Sequence, residues 1–340
     1  MQYKQLGETG LIVSRLSFGA MTFTTGDPSA VAKVDKTNAE ALLARALDAG
    51  VNLFDTADVY AGGRSEEILG AFLKPRRDEV VLSTKAGFRV GGGMNQAGGS
   101  RKHLLAACDA SLKRLGTDYV DVFSVHRYDP WTPLEETLEA LNSLVRQGKA
   151  RYIGCSNWTA WMMAKAVQMQ KDRGWARFIS AQMYYSLIGR DLEHDVVPMI
   201  RDANVGLMAW SPLAGGFLSG KYTRENLTAP ENRLSGFDVL PFDKEQGFGV
   251  VDRLREIGAR HEASPAQVAL AWLLAQPPAT TVLLGASKMH QLDDNLGAAD
   301  LVLAPDELAV LDELTKPQPI YPNWVARPEL DSQTMEALTP

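Results

Sequence analysis

Four side chains carry most of the chemistry this sequence offers: a carboxylate, Asp55; a phenol, Tyr60; an ammonium, Lys85; and an imidazole, His126. Asp55 closes a short apolar run, Val51 to Phe54, of the kind that forms a buried strand, and Tyr60 follows on the adjoining loop. An acid at a strand's C-terminal end with a phenol beside it points to chemistry rather than packing. A phenol with a pKa near ~10 is a reluctant acid, but a neighbouring ammonium stabilises its phenolate. Lys85 can supply that charge, and Asp55 can hold Lys85 charged and in place. His126 can donate a hydrogen bond to a reacting oxygen and orient it.

Residues so far apart in sequence meet only if a regular framework brings strand ends together. The spacing of apolar residues predicts one. Tyr3 to Leu6 and Leu11 to Val13 read as a small hairpin with its turn at Gly7 to Gly10. Strands are then expected over 16–19, 51–55, 80–85, 119–125, 151–155, 178–182, 205–210 and 280–284. Helices are expected over 36–49, 65–73, 100–115, 133–147, 159–172, 193–203, 246–260, 265–275 and 288–297. In the first helix Ala41, Leu42, Ala46 and Leu47 are expected to face inward, and Ser65 is the expected N-cap of the second.

Strict strand-then-helix alternation implies parallel strands with helical crossovers. Eight such units without a break in composition imply an α/β fold of the (β/α)8 barrel type with an N-terminal β-hairpin, one domain over residues 1–340. The rival is an open doubly wound sheet, but its Gly-x-Gly-x-x-Gly fingerprint after the first strand is absent. Gly91 to Gly93 and Gly98-Gly99 lack that spacing and read as a flexible loop. Residues 212–245 form a long Gly- and Pro-containing loop after the seventh strand. The tail 316–340, with Pro317, Pro319 and Pro322, is expected to be too Pro-rich for helix and to lie over the barrel mouth.

Composition narrows the function classes. A formal net charge of -6 with no Lys/Arg run argues against a nucleic-acid surface. No segment reaches the ~18 apolar residues of a membrane span, and the N-terminus does not read as a signal peptide. The two cysteines, Cys108 and Cys155, have no metal-ligand spacing, so no metal site is expected. They are expected to be buried hydrophobes in a reducing, cytoplasmic compartment.

In such barrels chemistry sits at the C-terminal ends of strands. Asp55, Lys85 and His126 all occupy such ends, with Tyr60 on the loop after Asp55. Across nearly its whole length the sequence resembles the aldo-keto reductases. The four residues fall where that family's catalytic tetrad falls, and the flanking text matches at Gly50 to Ala57, Ser83-Thr84-Lys85 and Gly154-Cys155-Ser156-Asn157. The resemblance implies reduction of aldehydes or ketones, reversibly, with Tyr60 as general acid in reduction and general base in alcohol oxidation.

It also implies NADP(H), laid across the barrel mouth. Ser156, Asn157 and Gln182 match the family's carboxamide binders, and Trp210 offers a flat face to the nicotinamide. The stretch Ser211 to Gly216 offers small residues and free backbone N–H groups that could approach a pyrophosphate, with Ser211, Pro212, Leu213 and Gly215 as the expected contact positions and Lys221 and, less directly, Arg233 to pair with it. Gly285, Ser287, Lys288, Gln291, Asp294 and Asn295 match the contacts to the adenosine and its 2′-phosphate, at a helix N-terminus that favours phosphate. Asp294 stands where Glu is commoner. Trp at position 210, where many members carry Tyr, resembles the branch that includes the potassium-channel β subunits. A cofactor-holding subunit that docks on a membrane protein is therefore the alternative, although those subunits depart from the tetrad at the position of His126. The expected partner is a small carbonyl or alcohol substrate, for which Met21, Phe88, Tyr128, Trp131 and Trp158 suggest an apolar pocket.

Overall fold

The computed structural model describes residues 1–26, 29, 31–227, 233–236, 238–325 and 332–338. The chain begins with β1 (Tyr3–Gln5), β2 (Ile12–Ser14), β3 (Leu16–Gly19), α1 (Lys36–Asp48), β4 (Leu53–Asp55), α2 (Arg64–Leu73), β5 (Val81–Ala86) and α3 (Arg101–Leu115). It continues through β6 (Val120–Val125), α4 (Leu134–Arg146), β7 (Ala150–Ser156), α5 (Ala160–Arg173), β8 (Phe178–Tyr184) and α6 (Val196–Asp202). The last elements are β9 (Gly206–Trp210), α7 (Arg233–Gly236), α8 (Lys244–His261), α9 (Pro265–Ala275), β10 (Ala279–Leu284), α10 (Met289–Gly297), α11 (Pro305–Thr315) and α12 (Ser332–Leu338).

Strands β3 to β10 close into one parallel barrel in chain order, β10 returning to β3, and β1 pairs antiparallel with β2 as a separate hairpin. The eight-unit reading is thus the observed fold. Because side chains alternate along a strand, the barrel strands feed two cores. Phe18, Phe54, Leu82, Phe123 and Val282 face the helical layer and join the large cluster there. Leu53, Val81, Val122, Met208 and Leu283 form a second cluster with Leu6 and Val13 of the hairpin segment. The hairpin therefore stoppers the N-terminal end of the barrel. Gly7 permits this close seating: with φ +63°, a Cβ there would also lie 3.1 Å from the Asn204 carbonyl.

Local chemistry fixes the helix starts. Asp35 accepts from Asn38 N–H at 2.9 Å to open α1, and Ser264 with Gln267 forms a reciprocal capping box on α9. Several expectations need correction. The buried stripe of α1 is Ala39, Leu42, Leu43 and Ala46, and Ala41 is exposed. Helical geometry places positions three and four apart on one face, which excludes Ala41 once Leu42 and Ala46 point inward. Ser65 is not the N-cap of α2; left-handed Gly63 is. The Ser65 hydroxyl instead donates to the Ala20 carbonyl at 2.7 Å and lies 2.9 Å from Thr56 Oγ1, tying the helix to the barrel.

Helix α11 was not anticipated. It starts with Pro305 and a Glu307 carboxylate that accepts from Ala304 N–H at 3.0 Å, half of a capping box on a residue with no side chain to complete it. The tail does contain a helix, α12, because its prolines stop at Pro322 among the described residues and Ser332–Leu338 lacks them. The described part of the tail runs beside the segment after β8, where Asn323 Nδ2 donates to the His194 carbonyl at 2.8 Å. Among the described residues no helix is long and apolar enough to cross a membrane.

Helix α2, which follows directly on the turn carrying Tyr60, packs on α3 through Gly70. A Cβ at Gly70 would lie 2.5 Å from Leu115 Cα, and backbone cannot yield as a flexible side chain can. Gly70→Ala is expected to lower stability by about 1–3 kcal/mol, read as an earlier urea midpoint with an unchanged slope. An unchanged midpoint would show that the two helices separate freely.

Candidate active site

Strand register sets out the site. Asp55 pairs level with Gly19 and Ser83, and Lys85, two residues beyond Ser83 and hence on the same inner face, pairs with Ser124. His126 follows Ser124 by the same two-residue step. The barrel interior at this level is lined by small groups. At Gly154 an added Cβ would stand 2.8 Å from Ser124 Oγ and 2.9 Å from the Ser180 carbonyl.

Into that space runs Lys85, whose side chain is wholly buried. Its ammonium donates to Asp55 Oδ2 and, at 2.7 Å, to the Thr56 carbonyl. Asp55 Oδ1 accepts from Ser83 Oγ at 2.9 Å and, across the barrel, from Gln182 Nε2 at 3.0 Å. The Lys85 Nζ lies 5.2 Å from the centre of the Tyr60 ring. Tyr60 meets His126 edge-on at 5.7 Å, and Phe88 covers His126 edge-on at 4.6 Å. The four residues singled out from the sequence are therefore brought together. Ser83 and the Thr56 carbonyl, which complete the cage, were not singled out; the signal for Ser83 was its two-residue spacing from Lys85.

The electrostatics follow from this cage. Burial works against the Lys85 charge, but Asp55 and then Tyr60 outweigh it, so the lysine pKa rises and the ammonium persists. Tyr60 is half-buried as a residue; burial of its phenol raises the pKa, and Lys85 opposes that rise. His126 is driven down to about 2, first by burial and then by Lys85 and Arg127. It is thus a neutral imidazole. Its Nδ1 is sealed in without a partner, so a proton on Nε2 would place the ring's donor away from the sealed side. A neutral donor, a phenol that keeps its proton and a fixed ammonium that stabilises the phenolate can together protonate an oxygen on which negative charge develops.

Around this centre the second set of residues takes its places. Ser156 Oγ donates to the Gln182 carbonyl at 2.7 Å. Asn157, left-handed at φ 58°, donates through Nδ2 to the His126 carbonyl and to Ser156 Oγ, both at 3.0 Å, and accepts from Trp210 Nε1 at 3.1 Å. Trp210 lies 5.3 Å from Tyr184, ring to ring.

Ser211 to Gly216 form a tight turn with Ser211, Ala214, Gly215 and Gly216 at positive φ. Here the expectation of free N–H groups needs correction. The N–H groups of Ala214, Gly215 and Gly216 are used within the turn, on Ser211 O, Ser211 Oγ and Leu213 O. The chain can reverse so sharply only by closing these bonds. Pro212 is buried and Leu213 half-buried. Lys221 folds back so that a Cβ at Gly216 would stand 3.3 Å from its Nζ. Arg233 opens α7, and its side chain lies outside the described residues.

After β10, Gly285 is exposed with open space above it, and Lys288 stands exposed at the start of α10. Ser287 is tied to Gln291, whose Oε1 accepts from the Ser287 N–H at 3.0 Å and lies 3.2 Å from its hydroxyl. Asn295 is buried. Both acids of this helix are occupied: Asp293 pairs with Arg45 at 2.7 Å, and Asp294 accepts from Ser264 Oγ at 2.8 Å. Of the suggested pocket aromatics, Trp158 is core and Trp131 is 91% exposed.

Residues 15–316 match the model of the Aldo/keto reductase family. The chain is 36% identical over 345 positions to versiconal hemiacetal acetate reductase of Aspergillus parasiticus, covering 95% of this chain and 99% of that protein. It is 38% identical over 328 positions to "Probable voltage-gated potassium channel subunit beta" of Oryza sativa subsp. japonica, covering 94% and 98%. An aldo-keto reductase of Fusarium vanettenii is 32% identical over 346 positions, covering 94% and 92%.

The sealed His126 ring makes a measurable claim. Its NMR signals are expected to stay flat from about pH 5 to 8, the range in which an ordinary histidine titrates near ~6.5. A midpoint inside that range would mean that water reaches the ring.

Proposed function

The chain belongs to the aldo/keto reductase family, and on that footing we propose that it interconverts aldehydes or ketones and alcohols with NADP(H), favouring NADPH for reduction. The observation that carries this reading is the buried Lys85 ammonium, caged by Asp55 and the Thr56 carbonyl beneath the Tyr60 ring, with neutral His126 on the same rim. A bound reduced nicotinamide supplies the hydride to the carbonyl carbon. Tyr60 supplies the proton to the oxygen, Lys85 stabilises the phenolate left behind, and His126 orients the oxygen by donating to it. In alcohol oxidation the same phenolate is the base.

The residues present fit such a cofactor. Asn157 and Gln182 stand at the ends of neighbouring strands with amide groups beside the tetrad, and Trp210 extends the same rim. Farther out, Lys288 is free of the acids of its own helix, since Asp293 and Asp294 are drawn to Arg45 and Ser264. An exposed ammonium at a helix N-terminus suits the 2′-phosphate that separates NADPH from NADH. The buried thiols Cys108 and Cys155 are consistent with a reducing, cytoplasmic setting.

A second reading, a cofactor-holding subunit with little turnover, draws on the similarity to the rice protein named as a channel subunit. Steady-state turnover of a generic aldehyde separates the two.

Tyr60→Phe removes only the hydroxyl. It is expected to lower kcat by about 10²–10⁴-fold with cofactor affinity largely kept; retention of more than about a tenth of wild-type kcat would sink Tyr60 as proton donor. NADPH is expected to exceed NADH by at least about tenfold in kcat/KM, roughly 1.4 kcal/mol. Lys288→Ala should erode that preference by weakening NADPH alone, whereas equal loss with both cofactors would remove Lys288 from the 2′-phosphate site.

A further inference from the structure

One buried acid beside the tetrad takes no part in the scheme above. Asp58 lies between Asp55 and Tyr60 in sequence, is 3% exposed, and neither carboxylate oxygen has a hydrogen-bond partner. Its own N–H is anchored at 3.0 Å on the carbonyl of Lys85. Unpartnered carboxylates that deep are costly when charged.

The groups facing Asp58 come from every element around it. Glu66 on α2 is wholly buried and well satisfied, accepting from Thr84 Oγ1 and Arg114 Nε, both at 2.6 Å. Arg114 on α3 reaches in over Gly63, where a Cβ would stand 2.6 Å from the arginine Cδ. Lys85 faces it from β5, and Tyr60 from its own turn. Two carboxylates thus share one guanidinium, and Glu66 holds it.

The structure assigns Asp58 as a positioning residue that holds a proton beside Tyr60 and releases it as pH rises, so that its charge sets how readily the phenol gives up its own proton. Burial and then the Glu66 charge raise the Asp58 pKa to about 7, against the pull of Arg114, the Val59 N–H and Lys85; that N–H comes near without reaching hydrogen-bond geometry. The sign is fixed by charge. Ionised Asp58 disfavours a negative phenolate nearby, so Tyr60 becomes the weaker acid above the Asp58 midpoint. Reduction should therefore show a shallow fall near neutral pH, of less than about tenfold, because Asp58 is the weakest of the charges acting on the phenol and Lys85 opposes it.

This inference rests on Tyr60 as the proton donor only for its effect on rate. The titration itself is independent of turnover. Infrared difference spectra of the cofactor-free protein should show a protonated carboxyl stretch lost with a midpoint near 7. Asp58→Asn should abolish that signal and flatten the neutral limb of kcat/KM for aldehyde reduction, leaving KM for NADPH in place. Glu66→Gln should move the infrared midpoint down and Arg114→Gln should move it up; these variants keep Asp58 and serve if Asp58→Asn does not fold. An infrared signal that survives Asp58→Asn, or a midpoint indifferent to both neighbours, overturns the assignment. A titrating Asp58 in a protein whose Tyr60→Phe variant stays active would instead overturn the role of Tyr60.

Discussion

The mouth of this barrel is organised around one unusual demand: a charged ammonium must be kept at the centre of a closed sheet, out of reach of water. Lys85 is wholly buried. Taking such an ion out of water costs several kcal/mol unless its charge and its hydrogens are met. Asp55 meets the charge, and the Thr56 carbonyl meets a second hydrogen. Asp55 is itself steadied by Ser83 and by Gln182 from the far side of the barrel. Residues from β4, β5 and β8 are thereby locked to a single cation. Removing one partner would leave the other charge stranded, a loss of about 3–5 kcal/mol in comparable buried pairs.

A second network continues the first around the rim. Asn157 joins the backbone of His126, the hydroxyl of Ser156 and the indole of Trp210. Its left-handed backbone, φ 58°, turns the amide back over the barrel instead of outward along the following helix. Asparagine tolerates that conformation better than most residues. The position is therefore doubly constrained, by backbone shape and by a side chain with both donor and acceptor in use.

The framework was legible because its signals are local and repeated. Eight apolar runs of strand length, each followed by a helical stripe, leave little choice beyond a closed parallel barrel, and the ends of those runs point to Asp55, Lys85 and His126. What escaped depends on distant parts of the chain. Ser65 looks like a cap by its position, and only the Ala20 carbonyl 45 residues away explains why it is not one. The Ser211–Gly216 turn looked open to a ligand, but glycines that permit a tight reversal also bring N–H groups onto neighbouring carbonyls. The tie of the Asp294 carboxylate to Ser264, at the cap of another helix, is likewise invisible in the local sequence. Helix α11 was missed because its N-cap is Ala304, which carries none of the usual signal.

The hairpin of β1 and β2 has a consequence for traffic. With Leu6 and Val13 packed into the lower cluster, the barrel is a vessel with a sealed floor. The level of Lys85 is then approached from the opposite end of the barrel, where Tyr60, His126 and Trp210 stand, so that arrival and departure share one face.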